Sequence, residues 1–222
     1  MPVIECISVS KSYKGRRATI NAVTNVSLEI KEGELILLKG NSGAGKTTLL
    51  NLIGGLIEPT SGDVRIDGRS ITEMGNSDLS GMLLNRIGII FQGLNLLPTY
   101  TIYENIELAL VPKGLDKREV EKLIIPLFEQ FGLSEKIHMF PEELSAGQQQ
   151  KVAIIRTLAK QSDIILADEP TASVDEESGK EILAFFRKLC DERSVTVIIA
   201  THGSAADKIA DRIITMENGS VK

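Results

Sequence analysis

The chain has 222 residues, of which 42% are hydrophobic and 25% are charged, and its net charge is -5. This length has room for one large domain or two small ones. The composition is typical of a soluble globular chain and excludes a disordered tail, a collagen-like repeat and a disulfide-stapled miniprotein. The acidic excess argues against a broad basic face, so we expect no nucleic-acid partner.

Apolar segments rich in β-branched residues alternate with helical patterns, which predicts an α/β fold with a mainly parallel, buried sheet. The predicted strands of this sheet are Glu34–Lys39, Ile87–Phe91, Ile164–Asp168, Val195–Ala200 and Arg212–Met216. Glu176–Arg193 carries the apolar stripe of a helix packed on that sheet. Nearer the N-terminus, alternating Val26, Leu28 and Ile30 and the turn Asp67-Gly68 predict a smaller antiparallel sheet.

Helix signals replace strand signals between about residues 93 and 160. Thr101 with Glu104 fits a capping box, and Asp116 with Glu119 begins a further helix. We expect one domain over 1–222, with an α/β core and β subdomain at about 1–92 and 161–222 and an inserted helical subdomain at 93–160. Six of the nine aromatic residues fall between 91 and 140, where they fill the small core of the insert or line a groove for a partner helix.

A glycine-rich loop follows the first predicted parallel strand and opens an apolar helix. It matches G-x-x-x-x-G-K-[ST] and comprises Gly40, Asn41, Ser42, Gly43, Ala44, Gly45, Lys46 and Thr47, with Thr48 next in the helix. In such a loop, backbone N–H groups and the positive helix end form a nest for phosphates. Lys46 adds a point charge, and the Thr47 hydroxyl can ligate Mg²⁺. The loop therefore predicts a nucleotide-phosphate site.

The apolar strand Ile164–Asp168 ends in two carboxylates, Asp168 and Glu169. Because the C-terminal edge of a parallel sheet is where α/β proteins bind ligands, both side chains are expected beside the glycine-rich loop. Asp168 is placed to hold the metal, directly or through water. Glu169 is placed to orient, or take a proton from, the water that attacks the γ-phosphate.

A third motif surrounds Ser145, which is a sound N-cap for the helical run Val152–Lys160. The small pair Ala146 and Gly147 then leaves the helix N-terminus bare, and a bare N-terminus attracts anions. The alternative, when this segment is taken alone, is an ordinary capped helix.

Taken in order, the glycine-rich loop, Leu144-Ser145-Ala146-Gly147-Gln148 and the strand ending Asp168-Glu169 resemble the ATPase subunit of ABC transporters, from Ile4 to Gly219. The resemblance implies that Tyr13 stacks on adenine, that Gln92 senses Mg²⁺ and the attacking water, and that His202 contacts the γ-phosphate. It makes Ser173-Val174-Asp175 the loop that crosses a dimer. Departures from the family pattern are Ala146 for glycine, Lys151 for arginine and Val174 for leucine. The methyl group of Ala146 either crowds the partner's nucleotide and slows turnover or has no effect, since the N–H donors survive.

The resemblance also implies ATP and Mg²⁺ as cofactors and a second copy of the chain as partner. In that head-to-tail dimer, the other copy completes each ATP site with Ser145, Ala146, Gly147 and Gln148. ATP binding closes the dimer and hydrolysis releases it.

The segments Leu49–Leu56 and Phe91–Pro98 resemble the lipoprotein-releasing and macrolide-exporter branch. That branch implies an integral membrane permease with a large extracytoplasmic domain as partner, and a cytoplasmic chain peripheral on the inner face of the membrane. The alternatives are a soluble or signalling ABC-type ATPase that transports nothing, and a nucleotide-binding module without hydrolysis. Glu169 and His202 disfavour the second.

Overall fold

The computed structural model describes residues 2–15 and 18–222. In chain order the strands are β1 (Pro2–Lys14), β2 (Thr19–Lys31), β3 (Leu35–Lys39), β4 (Ser61–Ile66), β5 (Arg69–Ser70), β6 (Ile87–Ile90), β7 (Ile164–Asp168), β8 (Thr196–Thr201), β9 (Arg212–Glu217) and β10 (Ser220–Val221). The helices are α1 (Lys46–Ile53), α2 (Asn76–Asn85), α3 (Ile102–Leu110), α4 (Lys117–Gln130), α5 (Ala146–Ala159) and α6 (Glu176–Arg193), with short 3₁₀ turns at Val111–Lys113, Ser134–Lys136 and Pro141–Glu143.

The strands form two sheets. An antiparallel sheet has the order β2-β1-β4-β5, and a six-stranded sheet has the order β10-β9-β3-β8-β7-β6. In the second sheet the five strands from β9 to β6 are parallel, and β10 pairs with β9 as a closing antiparallel hairpin. The predicted parallel strands are thus confirmed to within one residue at each end, and so is the smaller antiparallel sheet.

The central strand β3 belongs to two hydrophobic cores because its side chains alternate between the faces of the sheet. Leu35 and Leu37 pack on one face with α3, α4, α5 and α6, whereas Ile36 and Leu38 pack on the other with α1 and the antiparallel sheet. Since β3 runs straight into the glycine-rich loop, the two cores fix where that loop starts.

The helices between residues 93 and 160 begin with the predicted caps. The Thr101 side chain accepts from the Glu104 N–H and the Glu104 carboxylate accepts from the Thr101 N–H, and Asp116 and Glu119 repeat the arrangement at α4. Phe128 and Phe131 are buried in the core that β3 shares with α3–α6, as the first of the two interpretations of these aromatic residues predicted. Tyr100 and Phe140 are about 40% exposed.

Both cysteines, Cys6 and Cys190, are buried and unpaired. Burial raises the pKa of the Cys6 thiol to about 12 and that of the Cys190 thiol to about 11, so both stay protonated near neutral pH. Among the described helices, none combines the length and apolar character needed to cross a membrane.

Candidate active site

The glycine-rich loop connects β3 to α1 and curls around the side chain of its own lysine. Lys46 is buried, and its Nζ donates to the carbonyl oxygen of Gly40 at 2.8 Å and to that of Asn41 at 3.3 Å. No side chain in the described residues caps the N-terminus of α1, whose N-cap is Gly45. The first N–H groups of α1 are therefore free to bind an anion, which the positive end of the helix favours.

Two glycines are required by the tightness of this loop. Gly45 has φ 102°, and a Cβ there would lie 2.2 Å from the carbonyl oxygen of Ala22. Gly40 has φ 158°, and its Cβ would lie 2.4 Å from the carbonyl oxygen of Met216. Any larger residue would push the loop away from β2 and β9, because neither backbone oxygen can rotate aside.

Asp168 ends β7 directly below the start of α1. The Thr47 hydroxyl donates to Asp168 Oδ2 at 2.6 Å, so two of the three side chains predicted to contact a metal, the third being Gln92, are in contact. Burial raises the pKa of the Asp168 carboxyl, the Thr47 hydrogen bond opposes that rise, and the neighbouring charge of Glu169 adds to it.

Glu169 has a strained backbone and a fixed carboxylate. Its φ is 49°, in the left-handed region, and its N–H donates to Ala200 O at 2.9 Å. The carboxylate oxygen Oε2 accepts from the Thr201 hydroxyl at 3.1 Å, and Oε1 accepts from the backbone N–H of His202 at 3.1 Å. His202 Nδ1 lies 2.7 Å from the same Oε1, so the Nδ1–H tautomer donates to it. Glu169 and His202 thus form a hydrogen-bonded pair at the ends of β7 and β8.

These residues border one open cavity of about 700 Å³ at the C-terminal edge of the parallel sheet. Most of the predicted site residues line it: Tyr13, Asn41, Ser42, Gly43, Ala44, Gly45, Lys46, Thr47, Thr48, Gln92, Asp168, Glu169 and His202. Gly40 is outside the lining and contributes through its hydrogen bond to Lys46. Sequence reasoning missed Ile20, Asn21 and Ala22 on β2, and also Ala172.

The Ser145 segment, in contrast, is outside this cavity. The structure describes all four residues of this segment, and none of them lines the cavity: Ser145, Ala146, Gly147 and Gln148. They lie beside the loop that leads into α6, since a Cβ on Gly147 would be 3.4 Å from the Ser173 carbonyl oxygen.

The N-terminus of α5 is not bare, which differs from the prediction made from the small residues Ala146 and Gly147. Ser145 Oγ accepts from the Gln148 N–H at 3.3 Å, and Gln148 Oε1 accepts from the Ser145 N–H at 3.1 Å, which completes a capping box. The small residues Ala146 and Gly147 drew attention away from this capping box, whose second partner is Gln148, three residues after Ser145.

Comparison with known proteins agrees with this geometry. The family model described as ABC transporter matches residues 23–172. An uncharacterized ABC transporter ATP-binding protein of Thermotoga maritima is 39% identical over 220 residues, covering 99% of this chain and 94% of its own. The macrolide export ATP-binding/permease protein MacB of Sodalis glossinidius is 38% identical over 99% of this chain, which spans 34% of MacB.

Solved structures give the same answer. The dimeric structure of the post-hydrolysis state of the ATP-binding cassette MJ0796 bound to ADP and Pi superposes with a TM-score of 0.94 and 38% identity, covering 99% of this chain and 96% of that one. MJ0796 is a protein of Methanocaldococcus jannaschii. The predicted fold class and the macrolide-exporter branch are thereby confirmed. The chain belongs to the ABC transporter family, as an ATP-binding cassette that hydrolyses ATP.

Proposed function

We propose that two copies of this cassette bind ATP head to tail at their interface and use its hydrolysis to power a separate membrane permease. One observation carries the proposal: the phosphate loop and Glu169 are assembled within a single chain, whereas Ser145 lies outside their cavity. A phosphate at the N-terminus of α5 must then belong to ATP held by another molecule. MJ0796, which is described as dimeric, is the structural precedent.

Ser145 can serve this second role without losing its cap. Its oxygen accepts from the Gln148 N–H through a lone pair, which leaves the hydroxyl hydrogen free to donate to a phosphate oxygen. The N–H groups of Ala146 and Gly147 point out of the same first turn. The N-termini of α1 and α5 would therefore face one triphosphate from opposite sides, which offsets its charge in a chain whose own net charge is -5.

The donor set in the cavity suits Mg²⁺. Thr47 offers a hydroxyl, Asp168 a carboxylate and Gln92 an amide oxygen, and hard oxygen ligands are what Mg²⁺ prefers. Within the described residues, no three or more His, Cys, Asp or Glu side chains are grouped so that they could hold a metal ion by themselves. A magnesium ion bound through one carboxylate and the phosphates of a nucleotide needs no such group. When bound, the ion offsets the negative charge of the β- and γ-phosphates.

The pair of Glu169 and His202 supplies the chemistry. Glu169 takes the proton of the water that attacks the γ-phosphorus, the bond from that phosphorus to the bridging oxygen breaks, and ADP and inorganic phosphate leave. Nδ1–H of His202 donates to Glu169, and the opposite ring nitrogen, Nε2, contacts the γ-phosphate in the proposed complex. For that contact Nε2 must also carry a hydrogen, because a nitrogen lone pair cannot donate to a phosphate oxygen. Gln92 senses the water and the metal, and the Tyr13 ring, 43% exposed, stacks on adenine.

The permease is the finer part of the proposal. The name of the Sodalis relative joins an ATP-binding and a permease function in one protein, and this chain matches about a third of it. We infer a partner chain that crosses the membrane and has a large extracytoplasmic domain, with the cassette peripheral on the inner face. Methionine import proteins match at a similar identity, so similar cassettes serve both directions of transport.

Glu169→Gln tests the proposal because it keeps the shape of the side chain and removes the base. Hydrolysis is expected to fall by about 10²–10⁴-fold, the usual effect of losing a general base. Sedimentation with ATP and Mg²⁺ should show a stable dimer, with the nucleotide-free protein as control. A variant that stays monomeric while wild type turns over would contradict the composite site.

A further inference from the structure

The ion pair between Lys39 and Asp207 lies beside the active site without lining its cavity. Lys39 is the last residue of β3, immediately before the glycine-rich loop, and its Nζ is 2.8 Å and 2.9 Å from the two carboxylate oxygens of Asp207. The side chains are only 22% and 34% exposed, so water screens the pair less than an ordinary surface ion pair.

Asp207 lies on the turn that follows His202. The turn is held internally by the Asp207 N–H donating to Ser204 O and by the Ile209 N–H donating to Ala206 O. At its beginning, Thr201 is the ladder partner of Lys39 in the parallel pairing of β3 with β8. Lys39 therefore fixes both ends of the segment Thr201–Asp207, one through its backbone and the other through its ammonium group.

His202 lies inside that closed segment and needs such support. Its side chain is 73% exposed, so packing does little to orient the ring. Its Nδ1 must nevertheless stay on Glu169 Oε1, a contact of 2.7 Å. Because misplacing a reacting group by about 1 Å can cost a large factor in rate, a fixed segment matters more to catalysis than to stability.

We propose that Lys39 and Asp207 are positioning residues that hold the His202 segment against the glycine-rich loop, so that His202 keeps its contact with Glu169. The inference rests on the proposed role of His202. Lys39 lies outside the cavity lining, so its effect must pass through Asp207 and not through the phosphates.

Steady-state kinetics of Lys39→Met and Asp207→Asn test the proposal, since both variants keep size and remove one charge. Each is expected to lower kcat about fivefold while the KM for ATP stays within about twofold, the scale of one partly buried ion pair. The double variant should be no slower than either single variant, because both break the same contact. Lys180→Met, which breaks the exposed pair with Glu176, is the matched control and should change neither parameter.

The state of His202 itself gives a second readout. The chain has two histidines, so the ring signals of His138 and His202 can be assigned with His138→Asn and followed by NMR. Lys39→Met should shift or broaden the His202 signal and leave that of His138 unchanged. A merely structural ion pair would lower the melting temperature without this selective change.

Three results would overturn the proposal: unchanged kcat in both single variants, additive losses in the double variant, or an unperturbed His202 signal in Lys39→Met. His202→Ala separates this failure from that of the proposed function. If His202→Ala keeps full hydrolysis, the role of His202 is wrong. If it abolishes hydrolysis while Lys39→Met is normal, the role of His202 stands and the positioning role of the ion pair falls.

Discussion

The N-termini of α1 and α5 are the two anion sites of the proposed mechanism, but they differ in how they are capped. Helix α1 has Gly45 as its N-cap and no side-chain cap within the described residues, and its lysine folds back over the loop. Helix α5 has a complete capping box of Ser145 and Gln148 and lies outside the cavity. The first N–H groups of α1 therefore have no side-chain partner in their own chain, whereas the N-terminus of α5 is capped by Ser145 and Gln148.

These two helix ends indicate which interactions the free cassette can make. The open end of α1 lies in a preformed cavity, so a single chain should already bind the triphosphate. The capped end of α5 gains only those contacts that a second molecule brings. Binding and pairing are thus separate steps, and variants at the two helix ends can separate them.

Complementation between two inactive variants tests whether each ATP site is shared by two chains. Lys46→Ala and Ser145→Ala should each be nearly inactive. In a head-to-tail heterodimer, both defects fall in one site and the other site is intact, so an equal mixture should recover about a quarter of the wild-type rate if sites act independently. The measurement is phosphate release before and after mixing. A mixture as inactive as its components would show that each chain holds a whole site.

Ser145→Ala separates capping from recognition. It removes one cap and one hydrogen bond to a charged phosphate, so ATP-dependent dimerisation should weaken about tenfold or more. Thr101→Ala is the matched control because it removes the same kind of capping box from α3. Both should lose a similar stability, about 1 kcal/mol. If sedimentation shows that Ser145→Ala and Thr101→Ala dimerise equally well with ATP, Ser145 only caps the helix and does not bind the nucleotide.

Ala146→Gly probes the departure at the first turn of α5. Removing an exposed methyl group that would face the partner's nucleotide should raise kcat by about twofold, on the order of 0.4 kcal/mol. Gly81→Ala on α2, where an added Cβ meets open space, controls for glycine and alanine exchange in helices. A slower Ala146→Gly would show that the methyl group does not crowd the site.

Asp168→Asn concerns stability without ligands. Burial raises the pKa of the Asp168 carboxyl in the folded chain, so its ionised form opposes folding at neutral pH. This cost begins to fall when the pH drops below the folded pKa, and it is gone below the pKa of the unfolded chain. Thermal denaturation of the nucleotide-free variant at pH 7 should therefore give a melting temperature about 2 °C above wild type. The gap should close in acid. A variant less stable than wild type at pH 7 would contradict the sign.

Local signals allowed much of the fold to be predicted from the sequence. The bounds of α6 were predicted at the observed residues, since Asp175 caps its start and Arg193 precedes the left-handed Ser194 at its end. Helix α2 was missed because none of its residues is fully buried and its apolar stripe is weak. Strand β1 was not bounded either, since its burial pattern changes phase where the pairing with β2 is irregular.

Within the site, the sequence predicted the residues of the glycine-rich loop and of the strand ends, but not how they meet. Thr201 beside Glu169, and Ala22 beside Gly45, depend on which strands become neighbours and in what register. Such contacts join residues more than twenty positions apart and leave no local pattern. The division of the chain into core and insert and the role of each site residue stay predictions.

The backbone of Glu169 has a practical consequence for engineering. This residue has φ 49° and is followed by Pro170, a combination that costs about 1–3 kcal/mol for a side chain with a Cβ. Glycine at 169 would relieve that cost. A screen that selects only for a higher melting temperature should therefore enrich Glu169→Gly. The selected variant would be more stable but would no longer hydrolyse ATP.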